Sequence, residues 1–329
     1  MDRSILKLRQ PVFDGIGAQM HRIIAARAIA EAFNMNFSYD KIGEFDNQIF
    51  NANSVRLSSW NSLLEELFPS FYEESARGIF EVNHKNQRHL ALFLKTRISR
   101  IGSRRLVHVI DSPHIITNKH SSMLENLDFS DLRSNYWGVK HKRNEVKIVL
   151  HIRRGELGLS QFKDRYLSLS YYENILRSIV LNLERLSIPF NISIPVDPGQ
   201  DSILDANDPK IVDSLRLDST NPNLIRVDHN RYRIIHEEPT YSKTPYLMRG
   251  EWIETGDLWE DFGRFVNSDI FIMSKSSLSY VAAMLNRKGL VLYPEFWHPK
   301  LSRWILSDQF EPRLLSSSVH FKRWTSENL

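Results

Sequence analysis

The residues best suited to chemistry follow an apolar stretch near the middle of the chain. Residues 148–150 are Ile-Val-Leu, which is typical of a buried strand, and His151, Arg153, Arg154 and Glu156 come directly after them. Two neighbouring guanidinium groups can bind a phosphate through paired hydrogen bonds, and the carboxyl ends of parallel strands border ligand crevices. Structural salt bridges of buried arginines are the alternative interpretation. This stretch by itself leaves both interpretations open.

A second candidate stretch follows the first predicted strand, residues 5–8. It contains Asp14, Gly15, Gly17 and Gln19 and continues into a long helical pattern. Glycines let the backbone approach a ligand, and the N-terminus of a helix favours a negative group. The third glycine of a dinucleotide fingerprint is missing, and no Gly-Lys-Ser/Thr follows, so the stretch is neither that motif nor a P-loop. A tight turn without a ligand is the alternative.

A third candidate stretch follows the apolar residues 269–273. Ser276 and Ser277 stand where the next helix is predicted to begin. A serine at this position can cap the helix, and the same hydroxyl with neighbouring amides can hold a phosphate. If strands 146–152 and 269–273 end at the same crevice, the arginines and serines would surround one anion. Asp261 could accept hydrogen bonds from a guanine edge, and a solvated helix residue is the alternative.

The composition excludes several classes of function. Without cysteine, the chain has no disulfide, cysteine nucleophile or thiolate metal site. It also lacks Asp-x-Asp, His-Glu-x-x-His and Gly-x-Ser-x-Gly, so we expect no metal, no cofactor and no covalent hydrolase. The net charge of +4, without a block of like charges, indicates a basic cleft for an anionic small molecule and no nucleic-acid partner. No leader or membrane-spanning pattern is visible, which predicts a cytoplasmic protein or one attached to the inner face of a membrane.

The order of predicted elements indicates an α/β protein. Strands alternate with helices, which favours parallel sheets, and 329 residues are enough for about two domains. We therefore expect two Rossmann-like domains, residues 1–135 and 136–329, joined by a polar and aromatic connection at about 121–143. The predicted strands are 5–8, 36–39, 106–110, 146–152, 190–194, 224–227, 269–273 and 290–294. The predicted helices begin near residues 16, 60, 86, 171, 257 and 279.

Three motifs in this order resemble those of the fucosyltransferase superfamily. Residues 15–20, Gly-Ile-Gly-Ala-Gln-Met, resemble the Gly-x-Gly-Asn-Gln turn of the α-1,2-fucosyltransferases. Residues 151–156, His-Ile-Arg-Arg-Gly-Glu, are similar to the His-x-Arg-Arg-Gly-Asp motif shared by α-1,2-, α-1,6- and protein O-fucosyltransferases. Residues 261–285 are similar to the family's block of Asp, paired serines and aromatic residues. The chain departs from these patterns at Ala18, at Glu156, and at Tyr280-Val281, where the family has paired tryptophans.

The resemblance implies a GT-B fold, in which two Rossmann-like domains face each other across a cleft. It implies an inverting, metal-independent transfer of fucose from GDP-fucose to a glycan hydroxyl. His151 would contact the nucleoside, Arg153 the departing diphosphate and Asp261 the guanine, while Ser276 and Ser277 would hold phosphate. The other residues expected to bind substrate are Gly15, Gly17, Gln19, Arg154 and Ser279.

Two acids are candidates for the general base that accepts the acceptor's proton. Asp14 is the first, because it resembles an acid before the same turn in one branch of the protein O-fucosyltransferases. Glu156 is the second, with orientation of Arg153 or Arg154 as its alternative role. A transferase for another nucleotide sugar and a non-catalytic nucleotide-sugar-binding protein remain alternatives for the whole chain.

Overall fold

The fold was examined in a computed structural model, which describes residues 4–9, 15–42, 57–69, 80–83, 106–129, 145–153, 164–195, 244–253 and 257–311. The chain divides into two compact units. The first comprises residues 1–46, 56–132 and 297–302, and the second comprises 47–55, 133–296 and 303–329. The predicted helix near residue 86 and the predicted strand 224–227 lie outside the described residues.

The first unit contains a parallel sheet with the strand order β2-β1-β4-β3. Leu6 of β1 lies opposite Phe37 of β2 on one side and His108 of β4 on the other. The chain passes from β1 to β2 on one side and then to β3 and β4 on the other, so the strand order reverses between β1 and β4, whose carboxyl ends border a switch point of the sheet. The strands are β1 (Ile5–Leu8), β2 (Asn36–Tyr39), β3 (Phe80–Asn83) and β4 (Leu106–Ile110).

Helices cover the first sheet and fill its core. The long first helix is rich in alanine and buries residues on most of its surface, while the second buries Trp60, Leu63 and Leu64 at helical spacing. Two short helices follow β4, and the second of them buries Leu124. Residues 122–129 therefore belong to this unit, although the sequence predicted a connection from 121 onward. The helices are α1 (Ile16–Ala32), α2 (Leu57–Leu67), α3 (His114–Thr117) and α4 (Ser122–Glu125).

The second unit contains a parallel sheet with the strand order β10-β9-β8-β5-β6-β7. The chain passes from β5 to β6 and β7 on one side and then returns to β8 on the other side of β5. The order therefore reverses between β5 and β8, which is where ligands bind in open α/β sheets. The strands are β5 (Val146–Leu150), β6 (Phe190–Pro195), β7 (Glu251–Ile253), β8 (Ile270–Ile272), β9 (Leu290–Tyr293) and β10 (Ile305–Leu306).

The three α-helices described in the second unit each begin at a side-chain cap. The side-chain oxygens of Ser168, Asp257 and Ser276 accept hydrogen bonds from backbone amides in the first turn of α5, α6 and α7. The helices are α5 (Leu169–Arg185), α6 (Leu258–Val266) and α7 (Ser277–Leu285). Parallel sheets in both units confirm the predicted α/β class.

Asn286 fixes the amino end of the second sheet. Its Nδ2 donates to the carbonyl oxygens of Phe265 and Ser268, at 3.1 and 3.0 Å, and its Oδ1 accepts from the amide of Gly289 at 2.7 Å. A Cβ at Gly289 would lie 2.3 Å from the Ser268 carbonyl oxygen, so glycine is required there. This junction holds α6 and α7 in place on the sheet.

Candidate active site

The carboxyl ends of β5 and β8 lie side by side. Leu150 is paired with Ile272, and the amide of His151 donates to the Ile272 carbonyl oxygen at 3.0 Å. His151 therefore leaves β5 directly beside the residues that lead from β8 into α7. The predicted proximity of these two strand ends is confirmed.

Three elements fix the position of His151, which is partly buried. Its Nδ1 is hydrogen-bonded to the hydroxyl of Ser279 in α7 at 2.5 Å. Its ring stacks on Phe265 of α6, with the centroids 4.8 Å apart. The hydroxyl of Tyr172 in α5 donates to the His151 carbonyl oxygen at 3.1 Å. The ring and the backbone of His151 are therefore held independently.

His151 is electrically neutral at physiological pH. Burial of the imidazole, with a further contribution from the charge of Arg153, lowers its pKa from 6.5 to about 3. A neutral imidazole has one hydrogen-bond donor and one acceptor. His151 can therefore bind a ligand by hydrogen bonding, whereas neutralisation of a diphosphate is left to other groups.

Arg153 brings a positive charge close to this strand end. It is two residues beyond His151, is partly buried, and acts electrostatically on the imidazole. Arg154, Glu156 and Asp14 lie outside the described residues, so their predicted roles stay predictions.

The serine segment begins α7 beside His151. Ser276 is buried, and its hydroxyl accepts from the amide of Leu278 at 3.2 Å, which confirms the predicted helix cap. Ser277 is the first residue of α7 and is partly buried. The positive end of the α7 dipole therefore lies at the switch point, where it favours an anion.

Ser279 lies deeper and is completely buried. Its oxygen accepts from the Ser274 amide at 3.2 Å, and it is 3.1 Å from the Ser274 hydroxyl. Together with His151, these serines form a short hydrogen-bonded chain behind the imidazole.

Asp261 lies in α6, one turn before the phenyl ring that supports His151. Its side chain is buried, and Oδ1 accepts from Nη1 of Arg264 at 2.9 Å. Because residues four apart share a helix face, Asp261 is on the same side of α6 as Phe265. The alternative of a solvated helix residue is wrong, because the carboxylate is buried and ion-paired.

The glycine segment of the first unit has ordinary geometry. Gly15 precedes α1 with φ −64° and ψ 151°, and a Cβ there would meet nothing within 4 Å. The predicted turn is therefore simply the start of the helix, since Gly17 and Gln19 lie inside α1 and are buried. The local fold does not require glycine at position 15. Gln19 is buried in the interior of the first unit.

Phe265, Tyr172 and Ser274 join the site without having been predicted. Phe265 could have been found from its spacing of four residues after Asp261 on the same helix. Tyr172 carries no local signal, because its contact with His151 depends on how α5 packs on the sheet.

The part of the chain that the structure describes contains neither a metal site nor a helix that could span a membrane. No group of three or more His, Asp or Glu side chains there is arranged to hold a metal ion. None of the helices described is both long enough and apolar enough to cross a bilayer.

Comparisons with known proteins find similarity only among solved structures. No protein-family model and no curated protein sequence matches the chain. Escherichia coli heptosyltransferase WaaC with ADP-2-deoxy-2-fluoro heptose is similar at 11% identity and a TM-score of 0.37, covering 99% of this chain and 100% of that one. A point mutant of Arabidopsis thaliana FUT1 in complex with GDP has 10% identity and a TM-score of 0.39, covering 91% of this chain and 72% of that one. E. coli ADP-heptose lps heptosyltransferase II has 10% identity and a TM-score of 0.36, covering 98% and 99%. Similarity this weak leaves the function to be argued from the chain's own residues.

Proposed function

We propose that this protein is a GT-B glycosyltransferase that transfers fucose from GDP-fucose to a hydroxyl group of a glycan acceptor. The reaction proceeds with inversion at the transferred carbon and without a metal ion. Donor binding belongs to a C-terminal domain from about residue 136, and the acceptor is bound mainly by residues 1–135. Attachment to the inner face of a membrane would bring the enzyme to a lipid-linked acceptor.

The switch point of the second sheet carries this proposal. His151 and Arg153 leave β5 beside the capped N-terminus of α7, so a hydrogen-bonding imidazole, a cation and a helix dipole adjoin. These are the groups that a nucleoside diphosphate needs, since helix N-termini and arginine both stabilise phosphate charge. The motif resemblance at residues 151–156 and 261–285 is the reason for proposing a sugar nucleotide as the ligand and sugar transfer as the reaction.

Arg153 and the α7 N-terminus have the main electrostatic role in the proposed reaction. The acceptor oxygen forms a bond to the anomeric carbon while the bond from that carbon to the β-phosphate oxygen breaks. GDP leaves with the electron pair, and its growing negative charge is stabilised by the guanidinium and the helix dipole. The acceptor's proton passes to a carboxylate, for which Asp14 is the first candidate and Glu156 the second.

Nucleotide binding tests the proposal directly. We expect GDP to raise the thermal unfolding temperature and to bind in calorimetry, with UDP and ADP much weaker. Stabilisation by UDP or ADP and none by GDP would refute the fucose assignment. Turnover of GDP-fucose in the presence of EDTA, with product mass analysis, then tests transfer and metal independence together.

A donor with another base is the second candidate, and one observation favours it. Asp261, the acid expected to bind guanine, already forms an ion pair with Arg264 at 2.9 Å. An arginine in this position can itself hydrogen-bond to acceptor atoms of a base. Asp261→Asn separates the two cases, because it should weaken GDP binding strongly only if the carboxylate contacts guanine. Nucleotide binding without turnover of any nucleotide-sugar donor would instead identify a non-catalytic binding protein.

A further inference from the structure

The geometry of the hydrogen-bonded chain of Ser274, Ser279 and His151 decides which atom donates and which accepts in each bond. The oxygen of Ser279 is 2.5 Å from His151 Nδ1, 3.1 Å from the Ser274 hydroxyl and 3.2 Å from the Ser274 amide. The amide can only donate, so it occupies one acceptor position of Ser279. The two hydroxyl hydrogens and the imidazole proton then have two possible arrangements.

In the first arrangement, both hydroxyl hydrogens have an acceptor and the imidazole proton lies on Nε2. The Ser274 hydroxyl donates to Ser279, and the Ser279 hydroxyl donates to Nδ1 of His151. In the reverse arrangement, Nδ1–H donates to Ser279 and the Ser279 hydroxyl donates to Ser274. The hydroxyl hydrogen of Ser274 then has no acceptor within the described residues, although the Ser274 side chain is buried. A buried donor without an acceptor is costly, so the first arrangement is favoured.

We propose that the Ser274–Ser279 hydroxyl pair fixes His151 in the tautomer that carries its proton on Nε2, so that the imidazole offers a donor to the bound ligand. Nε2 makes no hydrogen bond to any of the residues that the structure describes, which leaves it for a ligand atom. Ser274 and Ser279 are positioning residues on this basis. Ser279 is fully buried and acts through His151, although its motif position alone suggested ligand contact.

The tautomer determines which ligand atoms fit. An Nε2–H group pairs with a hydroxyl, carbonyl or phosphoryl oxygen, and it would face an amine donor unfavourably. A neutral imidazole that already carries its proton on Nε2, with Nδ1 occupied by Ser279, cannot act as the general base. The general base of the proposed transfer is therefore a residue other than His151. The identity of the ligand in this inference rests on the proposed function.

Nitrogen NMR of histidine-labelled protein without ligand tests the tautomer. The His151 signals are assigned by their loss in His151→Gln. We expect a pattern with unprotonated Nδ1 and protonated Nε2, unchanged between pH 8 and pH 5. Ser279→Ala should change this pattern towards a mixture of tautomers, and Ser279→Thr, which keeps the hydroxyl, should restore it. Ser178→Ala, at a partly exposed position of α5, is the control and should change nothing.

Binding measurements separate this inference from the proposed function. Ser279→Ala should weaken GDP binding roughly two- to tenfold, the size expected for one oriented hydrogen bond. Protonated Nδ1 in the wild-type spectrum would overturn the inference even if GDP binds tightly. Failure of GDP to bind would overturn the proposed function. The inference about the tautomer would still be tested by the NMR spectrum of the ligand-free protein. The wild-type spectrum decides it even if a variant does not fold.

Discussion

The imidazole of His151 stacks on the phenyl ring of Phe265, with planes inclined by 19° and centroids 4.8 Å apart. Phe265 in turn stacks on Phe271 of β8, at 5.2 Å and 24°. Aromatic pairs of this kind stabilise more than their buried area alone. The stack therefore connects α6 to both strand ends at the switch point and sets the plane of the imidazole that would meet a ligand.

Replacing the supporting ring should weaken both the fold and the binding of the nucleotide. Phe265→Leu should lower the free energy of unfolding by about 1–2 kcal/mol, because volume is largely kept. GDP affinity should fall roughly two- to tenfold, as expected for losing an aromatic pair. Urea unfolding and calorimetry measure the two effects. Phe68→Leu is the matched control, since Phe68 is buried against Phe129 in the first unit and should lose stability without losing GDP affinity.

Removal of the guanidinium beside His151 should affect the chemical step. Under the proposed function, Arg153→Ala should reduce kcat on the order of a hundredfold or more, since it stabilises charge that develops in the transition state. The circular dichroism spectrum and the unfolding midpoint should stay close to wild type. Arg185→Ala removes an exposed arginine from the end of α5 and serves as the control. Equal turnover by the Arg153 and Arg185 variants would contradict the role given to Arg153.

Two glutamates of α5 should differ sharply in their contribution to stability. The buried carboxylate of Glu173 accepts from the amides of Tyr246 and Leu247, at 2.9 and 2.8 Å. Glu173→Gln should therefore cost about 1–3 kcal/mol in urea unfolding, because a buried amide is left facing a donor. Glu184 instead pairs with Arg249 on the surface. Glu184→Gln should change stability by less than about 0.5 kcal/mol. Similar losses in both variants would contradict the stabilising role given to the buried Glu173 carboxylate.

Acid should destabilise the first unit through a cluster of histidines. The rings of His21 and His298 are 4.3 Å apart, and the His114 ring is 6.1 Å from His21. Burial lowers the pKa of His21 well below 6.5, with further contributions from His298, His114 and Arg22. Burial, with a contribution from His114, lowers the pKa of His298 to about 3. The folded protein therefore keeps the imidazoles of His21 and His298 neutral where the unfolded chain would protonate them.

The sign of the pH effect follows from these lowered values. Below pH 6.5 the unfolded state binds more protons than the folded state, so stability falls as the pH falls from about 6.5 towards 3. At pH 5 the lowered pKa of His298 reduces the free energy of unfolding by an amount on the order of 2 kcal/mol. His298→Gln keeps an acceptor for the Trp297 indole and should reduce the loss of stability between pH 7.5 and pH 5. His120→Gln, at an exposed position, should leave that loss unchanged.

The sequence predicts the strands that carry the site better than those at the sheet edges. Residues 146–150, apart from Lys147, and residues 290–293 are apolar, and the structure places strands there. β7 and β10 have three and two residues, so no periodicity is visible in them. Their strand conformation depends on pairing with β6 and β9, which is decided by the tertiary fold.

The site shows the same division between local and long-range signals. Helix capping by Ser276 and the proximity of His151 to the serines could be predicted, because both follow from strand–helix order. The burial of Gln19 could not, since the small alanines of α1 let neighbouring elements surround the helix. The Asp261–Arg264 pair and the place of Phe265 on the same face of α6 were predictable from spacings of three and four residues. The contact of Phe265 with His151 was not, because it depends on how elements far apart in the chain pack.

The segment 297–302 makes the first unit depend on a late part of the chain. His298 packs on His21, Asn118 donates to the Trp297 carbonyl oxygen at 3.2 Å, and the Ser302 amide donates to Glu125 at 2.7 Å. During synthesis, these partners are made only after nearly all of the second unit. The first unit therefore cannot complete its core on the ribosome before that point, and a fragment ending near residue 132 would leave the contact surface of His21 uncovered.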